Sequence, residues 1–375
     1  MKYFLVVGEA SGDLHASNLM KGILKADPDA EFRYAGGDLM KAVAPGLFRD
    51  YRETSFMMLD VLFNLRKIFR HIASIKQEML RWKADVNILV DYPGVNLRLA
   101  KFAKPRGLKV FYYITPTVWA WKKGRVKILR DYTDRCFVIF PFEVDFLRDH
   151  DIEAEFHGNP LLDSIDSYSK KAMSKDAFYS EAGLDKRPLA ALLAGSRKQE
   201  IKRLLPLMIQ VSEQFKAYQF VIAGAPSVEE DFYKKIIGGH DITLVNNRTY
   251  DLLSHAEAGI VTSGTATLES ALFNLPQVVI YKTTWMAYII AKWLIKIGFI
   301  SQVNLIFGSK LVEEVIQFDM LKRVRDELSK ILTDEAYRKE MRHGYRLIRE
   351  KLGEPGVSDR LGQRMVELVG LKNAD

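Results

Sequence analysis

The chain begins with an unbroken apolar run of strand length, Tyr3-Phe4-Leu5-Val6-Val7. From Leu14 to Leu24, apolar residues recur near helical spacing. The stretch Gly8-Glu9-Ala10-Ser11-Gly12-Asp13 joins the two. This pattern predicts a strand, a tight turn and a helix, the opening unit of a parallel sheet. The alternation continues, with strands predicted at residues 32–37, 86–90, 109–114 and 135–140. One or two helices are predicted over 57–82, and one each over 95–104, 124–131 and 141–150. Residues 163–175 are polar and serine-rich and read as a connecting segment. A second series follows, with strands at 189–193, 219–223, 242–245, 259–261 and 277–281, and helices over 199–215 and 266–273. Three helices close the chain, at 322–332, 335–351 and, after Pro355-Gly356, 359–371. Strands alternating with helices predict doubly wound parallel sheets. Two series predict two tandem Rossmann-like lobes of an α/β protein, their facing carboxyl edges forming one deep cleft.

Composition changes little in that picture. With 375 residues, 48% hydrophobic and 27% charged, the chain suits two ordered domains. Its single cysteine, Cys136, can form no intrachain disulfide, which fits a reducing cytoplasm. The apolar run after Met1-Lys2 is too short for a signal peptide. The nearest approach to a membrane span, residues 285–300, is interrupted by Lys292 and Lys296. The net charge of +8 suits anionic partners.

Candidate chemistry gathers at the predicted strand ends. Asp91 follows the strand at 86–90 and precedes Tyr92-Pro93-Gly94, where a carboxylate can take a proton from an attacking hydroxyl. The same aspartate also suits a turn or a helix cap. Gly195-Ser196-Arg197 ends the first strand of the second series, where backbone N–H groups and an arginine suit a diphosphate. Ser263-Gly264-Thr265-Ala266 repeats the arrangement, and Glu269, one turn on, suits ribose hydroxyls or a capping box with Thr265 or Ala266. In the first turn, Gly8 and Gly12 permit close backbone approach, and Ser11 or Asp13 can cap the helix. Glu9 and Asp13 sit at the cleft mouth as reserve bases.

Residues 56–70 are more apolar than one core face requires and end in cationic residues. Met57, Met58, Leu59, Leu62 and Phe63 suit a membrane interface, an acyl pocket or burial between lobes. Lys122, Lys123, Arg125, Lys127 and Arg130 follow Trp119 and Trp121, but no nucleic-acid module accompanies them, so no nucleic-acid partner is expected. The histidines show no metal spacing, and the dinucleotide, P-loop and G-x-S-x-G motifs are absent, so no metal or cofactor is expected.

Taken together and in order, these stretches resemble the lipid-A-disaccharide synthase family. The likeness rests on residues 8–13, Asp91-Tyr92-Pro93 with Asn96, Pro116-Thr117-Val118-Trp119-Ala120-Trp121, Pro141-Phe142-Glu143, Gly195-Ser196-Arg197 and residues 263–269. It implies a GT-B fold whose C-terminal helix returns to the first lobe. The lobes would be residues 1–162 with 357–375, and 163–356. It implies an inverting transfer between UDP-2,3-diacylglucosamine and 2,3-diacylglucosamine 1-phosphate, giving a β-1,6-linked disaccharide and UDP. By the same resemblance Asp91 is the catalytic aspartate and Arg197 holds the diphosphate. Ser263, Gly264, Thr265 and Glu269 form the UDP site, and Asn304 lies on the nucleotide side. Residues 57–69 make acyl and membrane contact, which implies a peripheral enzyme on the cytoplasmic face of the inner membrane. Ala194, Asn159 and Gln302-Val303 depart from the family pattern. Two other classes fit the two-lobed plan: a UDP-sugar epimerase, and a non-catalytic nucleotide-sugar or lipid-binding protein.

Overall fold

The structure, a computed structural model, describes residues 1–53, 61–116, 123–283 and 298–370. The chain divides into two compact units, Met1–Ser164 with Leu352–Asp375, and Ile165–Lys351.

The first unit is built on a seven-stranded parallel sheet. Its strands are β1 (Lys2–Val6), β2 (Glu31–Gly36), β3 (Leu47–Asp50), β4 (Val86–Val90), β5 (Val110–Tyr113), β6 (Arg135–Val138) and β7 (Ala154–Phe156). They lie in the order β3-β2-β1-β4-β5-β6-β7. The chain works outward in one direction from β1 and in the other from β4. The switch point therefore falls between those two strands, where a ligand crevice is expected at the carboxyl ends. The five residues of β4 are all buried, as a strand covered on both faces requires. Helix α1 (Ala10–Ala26) follows β1, α2 (Asp38–Val43) follows β2, α3 (Val61–Trp82) leads into β4, and α4 (Pro93–Ala103) follows it. Helix α5 (Lys123–Tyr132) precedes β6, and α6 (Phe142–Arg148) precedes β7.

The second unit repeats the plan with β8 (Leu189–Leu193), β9 (Gln219–Gly224), β10 (Thr243–Asn246), β11 (Ala258–Thr262), β12 (Gln277–Tyr281) and β13 (Glu314–Ile316). These run parallel in the order β10-β9-β8-β11-β12-β13, so the switch point lies between β8 and β11. Two helices, α7 (Leu161–Ser169) and α8 (Lys175–Glu181), lead into it. Helix α9 (Lys198–Ser212) follows β8, α10 (Glu230–Ile237) follows β9, α11 (Thr249–His255) follows β10, and α12 (Thr265–Leu272) follows β11. After β12 come α13 (Gln302–Phe307), α14 (Met320–Thr333) and α15 (Glu335–Leu352).

The boundary between the units, at Ser164 and Ile165, falls within the polar segment 163–175. Most of that segment is helical: α7 runs to Ser169, and Ser174 caps α8 by accepting from the Ala177 N–H. Leu161, Leu162 and Ile165 supply a buried face. Asp163 accepts hydrogen bonds from the N–H groups of Gly356, Val357 and Ser358 at 2.7–2.9 Å. Its polarity thus serves a helix N-terminus rather than solvent. Strands β3, β7 and β13 were not foreseen. All three are short edge strands with half-buried residues, so no continuous apolar run marks them.

That capped helix is α16 (Val357–Gly370), which returns to the first unit and packs on α1 as expected. Leu361, Met365 and Val369 repeat every fourth residue and enter the same core as Leu19, Met20 and Ile23. The helices touch backbone to backbone. A Cβ on Gly362 would lie 2.3 Å from the Gly22 carbonyl carbon, and one on Gly22 only 2.0 Å from the Ser358 oxygen. Gly362→Ala is therefore expected to lower stability by about 1–3 kcal/mol through forced separation. Denaturant unfolding, read as a fall in midpoint, checks this.

Candidate active site

In the second unit, β8 and β11 each end in a glycine turn that opens a helix. Gly195 and Gly264 adopt φ values of +104° and +148°, which side-chain-bearing residues rarely take. Both turns face one cavity of about 380 Å³. Gly195, Ser196, Arg197, Ser263, Gly264, Thr265, Ala266 and Glu269 all line it. Sequence reasoning had drawn those eight from two separate stretches, and the switch point brings them together.

Arg197 is the N-cap residue of α9, and its side chain is 79% exposed. Its guanidinium reaches Glu200 Oε1 at 3.3 Å, while Glu200 Oε2 accepts the Ser196 N–H at 3.3 Å. Glu200 lines the cavity and was missed by sequence reasoning. Its position three residues after the N-cap was the available signal. Thr249, Gly224 and Ala225 also line the cavity and carried no local signal. Ser263 donates its hydroxyl to the Ile300 carbonyl at 3.0 Å.

Glu269 is not part of a capping box. The N-cap of α12 is Gly264, and Glu269 Oε1 instead accepts the Tyr250 hydroxyl at 2.8 Å. Burial pushes the Glu269 carboxyl above its ordinary value, and the Tyr250 bond partly opposes that.

Asn304 stands apart from the cavity lining. It is fully buried in α13. Its amide nitrogen donates to the Val312 carbonyl and to Glu314, and its oxygen accepts from the N–H groups of Leu311 and Val312. It organises the loop before β13.

In the first unit, Asp91 lies one residue beyond β4. It and Tyr92 both have φ of +45°, an uncommon conformation for residues with side chains. The surroundings hold the turn in place. The Asp91 N–H donates to the Tyr113 carbonyl at 2.8 Å. Its carbonyl accepts from Tyr112 OH at 2.7 Å and from Asn96 Nδ2 at 2.9 Å. Burial, reinforced by the charge of Glu9, pushes the Asp91 carboxyl up to about 6, against the Tyr92 N–H and Arg125. A carboxylate with that affinity for protons is suited to general-base work near neutral pH.

The Gly8–Asp13 turn supports the same strand end. A Cβ on Gly8 would lie 2.1 Å from the Tyr92 ring, so glycine is required beneath it. Glu9 is exposed at the N-terminus of α1, where it accepts from Ser11 Oγ at 2.9 Å. Neither Ser11 nor Asp13 caps α1. Asp13 is buried, and its carboxylate accepts the N–H groups of Gly37, Leu39 and Met40. It anchors α2, and a Cβ added to the buried Gly12 would lie 3.1 Å from the Val7 Cβ. Met57, Met58 and Leu59 lie outside the described residues, as do the side chains of Leu62 and Phe63.

The family model for lipid-A-disaccharide synthetase matches residues 3–363. The chain belongs to the lipid-A-disaccharide synthase family. Among relatives, it is 37% identical over 375 residues to the lipid-A-disaccharide synthase of Syntrophus aciditrophicus, covering 97% of both chains. It is 35% identical over 378 residues to that of Geobacter sulfurreducens, covering 98% of this chain and 97% of the other. Membership makes it a glycosyltransferase, specifically a hexosyltransferase. Solved structures with the same fold include MnaA of S. aureus with UDP, at TM-score 0.68 and 12% identity, over 99% of this chain and 97% of that one. Another is the UDP-GlcNAc 2-epimerase of Neisseria meningitidis bound to UDP-GlcNAc, at 0.63 and 14%, over 99% and 100%. The fold is thus GT-B, shared with epimerases, while the family is that of the synthases. Among the described residues, no helix is long and apolar enough to cross a membrane.

Proposed function

We propose that this chain condenses UDP-2,3-diacylglucosamine with 2,3-diacylglucosamine 1-phosphate, using Asp91 as general base and Arg197 at the diphosphate. The acceptor's 6-hydroxyl oxygen attacks the anomeric carbon of the donor. Its proton passes to Asp91, and the bond from the anomeric carbon to the diphosphate oxygen breaks. The electron pair leaves with UDP, whose charge falls on Arg197 and on the N–H groups opening α9 and α12. Attack from the face opposite UDP turns an α-linked donor into a β-1,6 glycoside. Arg197 and the two helix ends supply the charge a metal would otherwise provide.

One observation carries the donor half of this reading: both anion-suited turns, 195–197 and 263–265, end on a single cavity that also holds Glu269. The acceptor half rests on Asp91, placed at the end of β4 at the other switch point, where burial pushes its carboxyl up to about 6. Acylated substrates require a bilayer surface, and the apolar run closed by cations at 56–70 suits the cytoplasmic face of the inner membrane.

The test supplies both acylated sugars in mixed micelles and follows UDP release with disaccharide formation. Release coupled to disaccharide is the expected result. Turnover of the UDP-sugar alone, without acceptor, would instead favour the epimerase class. Binding of both substrates without turnover would favour a binding protein. Co-sedimentation with anionic vesicles checks the location, and its absence would remove that part.

A further inference from the structure

Glu269 has a partner in the fold whose purpose the cavity alone does not explain. Tyr250, on α11, donates its hydroxyl to Glu269 Oε1 at 2.8 Å. Its ring is seated against two others. Phe273 lies 5.0 Å away, tilted by 48°, and Tyr168 lies 5.5 Å away, edge-on at 80°. Tyr168 is tied in turn to α11, through its hydroxyl to Asp251 Oδ1 at 2.7 Å. A ring held this way keeps one rotamer. Burial and the neighbouring carboxylate both disfavour ionising the Tyr250 phenol, so it remains a donor.

The hydroxyl takes one acceptor position on Oε1. That leaves Oε2 and a further position on Oε1 for donors in the cavity. A half-buried carboxylate with open acceptor sites on the cavity wall suits paired hydroxyls.

We propose that Tyr250 is a positioning residue that fixes the rotamer of Glu269, so that its carboxylate accepts the vicinal hydroxyls of the nucleotide's ribose. The inference rests on the donor-site reading above. Tyr250 touches no substrate in this role; it acts through Glu269.

The experiment measures calorimetric binding of UDP and 2′-deoxy-UDP, with donor KM and kcat, for the full chain, Tyr250→Phe and Glu269→Gln. Phenylalanine keeps the ring on Tyr168 and Phe273 and removes only the donor. In Tyr250→Phe, UDP is expected to bind roughly tenfold more weakly, the scale of one charge-assisted hydrogen bond. Binding of 2′-deoxy-UDP is expected to change much less. Donor KM should rise with the UDP dissociation constant while kcat holds within about twofold.

Equal losses for the two nucleotides would overturn the proposal, because they would report general packing. So would unchanged UDP binding in Tyr250→Phe where Glu269→Gln loses its preference for ribose; the donor-site reading would then stand. Retained ribose preference in Glu269→Gln would overturn the donor-site reading, and this proposal with it. Phe273→Leu loosens the ring's seat while keeping the hydroxyl, and covers the case in which Tyr250→Phe does not fold. It is expected to weaken UDP more than 2′-deoxy-UDP, and equal weakening would count against the proposal.

Discussion

Asp91→Asn is expected to lower kcat by roughly 10²–10⁴-fold, the range a positioned general base contributes. Asparagine suits the test because it tolerates positive φ, here +45°, and so preserves the turn. Binding of UDP should be unchanged, since the donor cavity is formed in the other unit. In the unmodified chain, activity should rise as pH increases through about 6, where Asp91 ionises, and this acid limb should vanish in the variant. Stability gives an independent readout. The folded carboxyl titrates above the ordinary carboxylate range, so its neutral form is favoured by folding. That contribution is full below about 4 and is lost as pH rises through about 6. Asp91→Asn should therefore be the more stable protein at pH 8, by on the order of 3 kcal/mol, with little advantage at acid pH. Thermal unfolding at the two pH values, beside kcat at each, reads all of this. An activity that survives the substitution would move the base to Glu9, because Asp13 is already committed to the N-terminus of α2.

Arg197→Ala is expected to lower kcat/KM by roughly 10²–10³-fold, as removal of a donor to developing negative charge does. The side chain is 79% exposed and its partner is Glu200 at 3.3 Å, so the loss of fold stability should be below about 0.5 kcal/mol. Arg197→Lys should recover only part of the activity. Lysine keeps the charge but lacks the planar fork that matches two phosphate oxygens. Steady-state kinetics with each variant, alongside UDP binding, separates the effects. A fall mainly in kcat would place Arg197 on the departing diphosphate. A rise in KM with kcat held would place it on ground-state binding alone.

Much of the site was legible because α/β sheets put chemistry at strand ends. Asp91, Arg197 and residues 263–269 each follow a fully buried apolar strand, and such strands announce themselves in one dimension. The glycines that turn the chain there are equally visible, as the φ values of Gly195 and Gly264 attest. Asp13 shows the limit of the same logic. A polar residue near a strand end reads as open to ligand, yet its carboxylate is consumed by three backbone N–H groups from the next βα unit. Asn304, placed on the nucleotide side by the family resemblance alone, likewise has its amide spent on residues 311–314. Glu200 and Tyr250 erred in the opposite direction. Each looks like an ordinary helix residue until the fold brings it to the cavity or to Glu269.

By itself, then, the sequence determined the α/β class, the two series of parallel strands, the turns that open onto their carboxyl ends and, through its ordered motifs, the family. These follow from local periodicity, backbone stereochemistry and residue order, all written along the chain. Only the tertiary structure decided which polar groups remain available for chemistry. That depends on pairings across long stretches of sequence: Asp13 with Gly37, Asp163 with Ser358, Tyr250 with Glu269. It depends equally on the burial that lifts the Asp91 carboxyl to about 6. Desolvation and hydrogen-bond satisfaction are properties of the packed neighbourhood, and neighbourhoods exist only once the chain has folded.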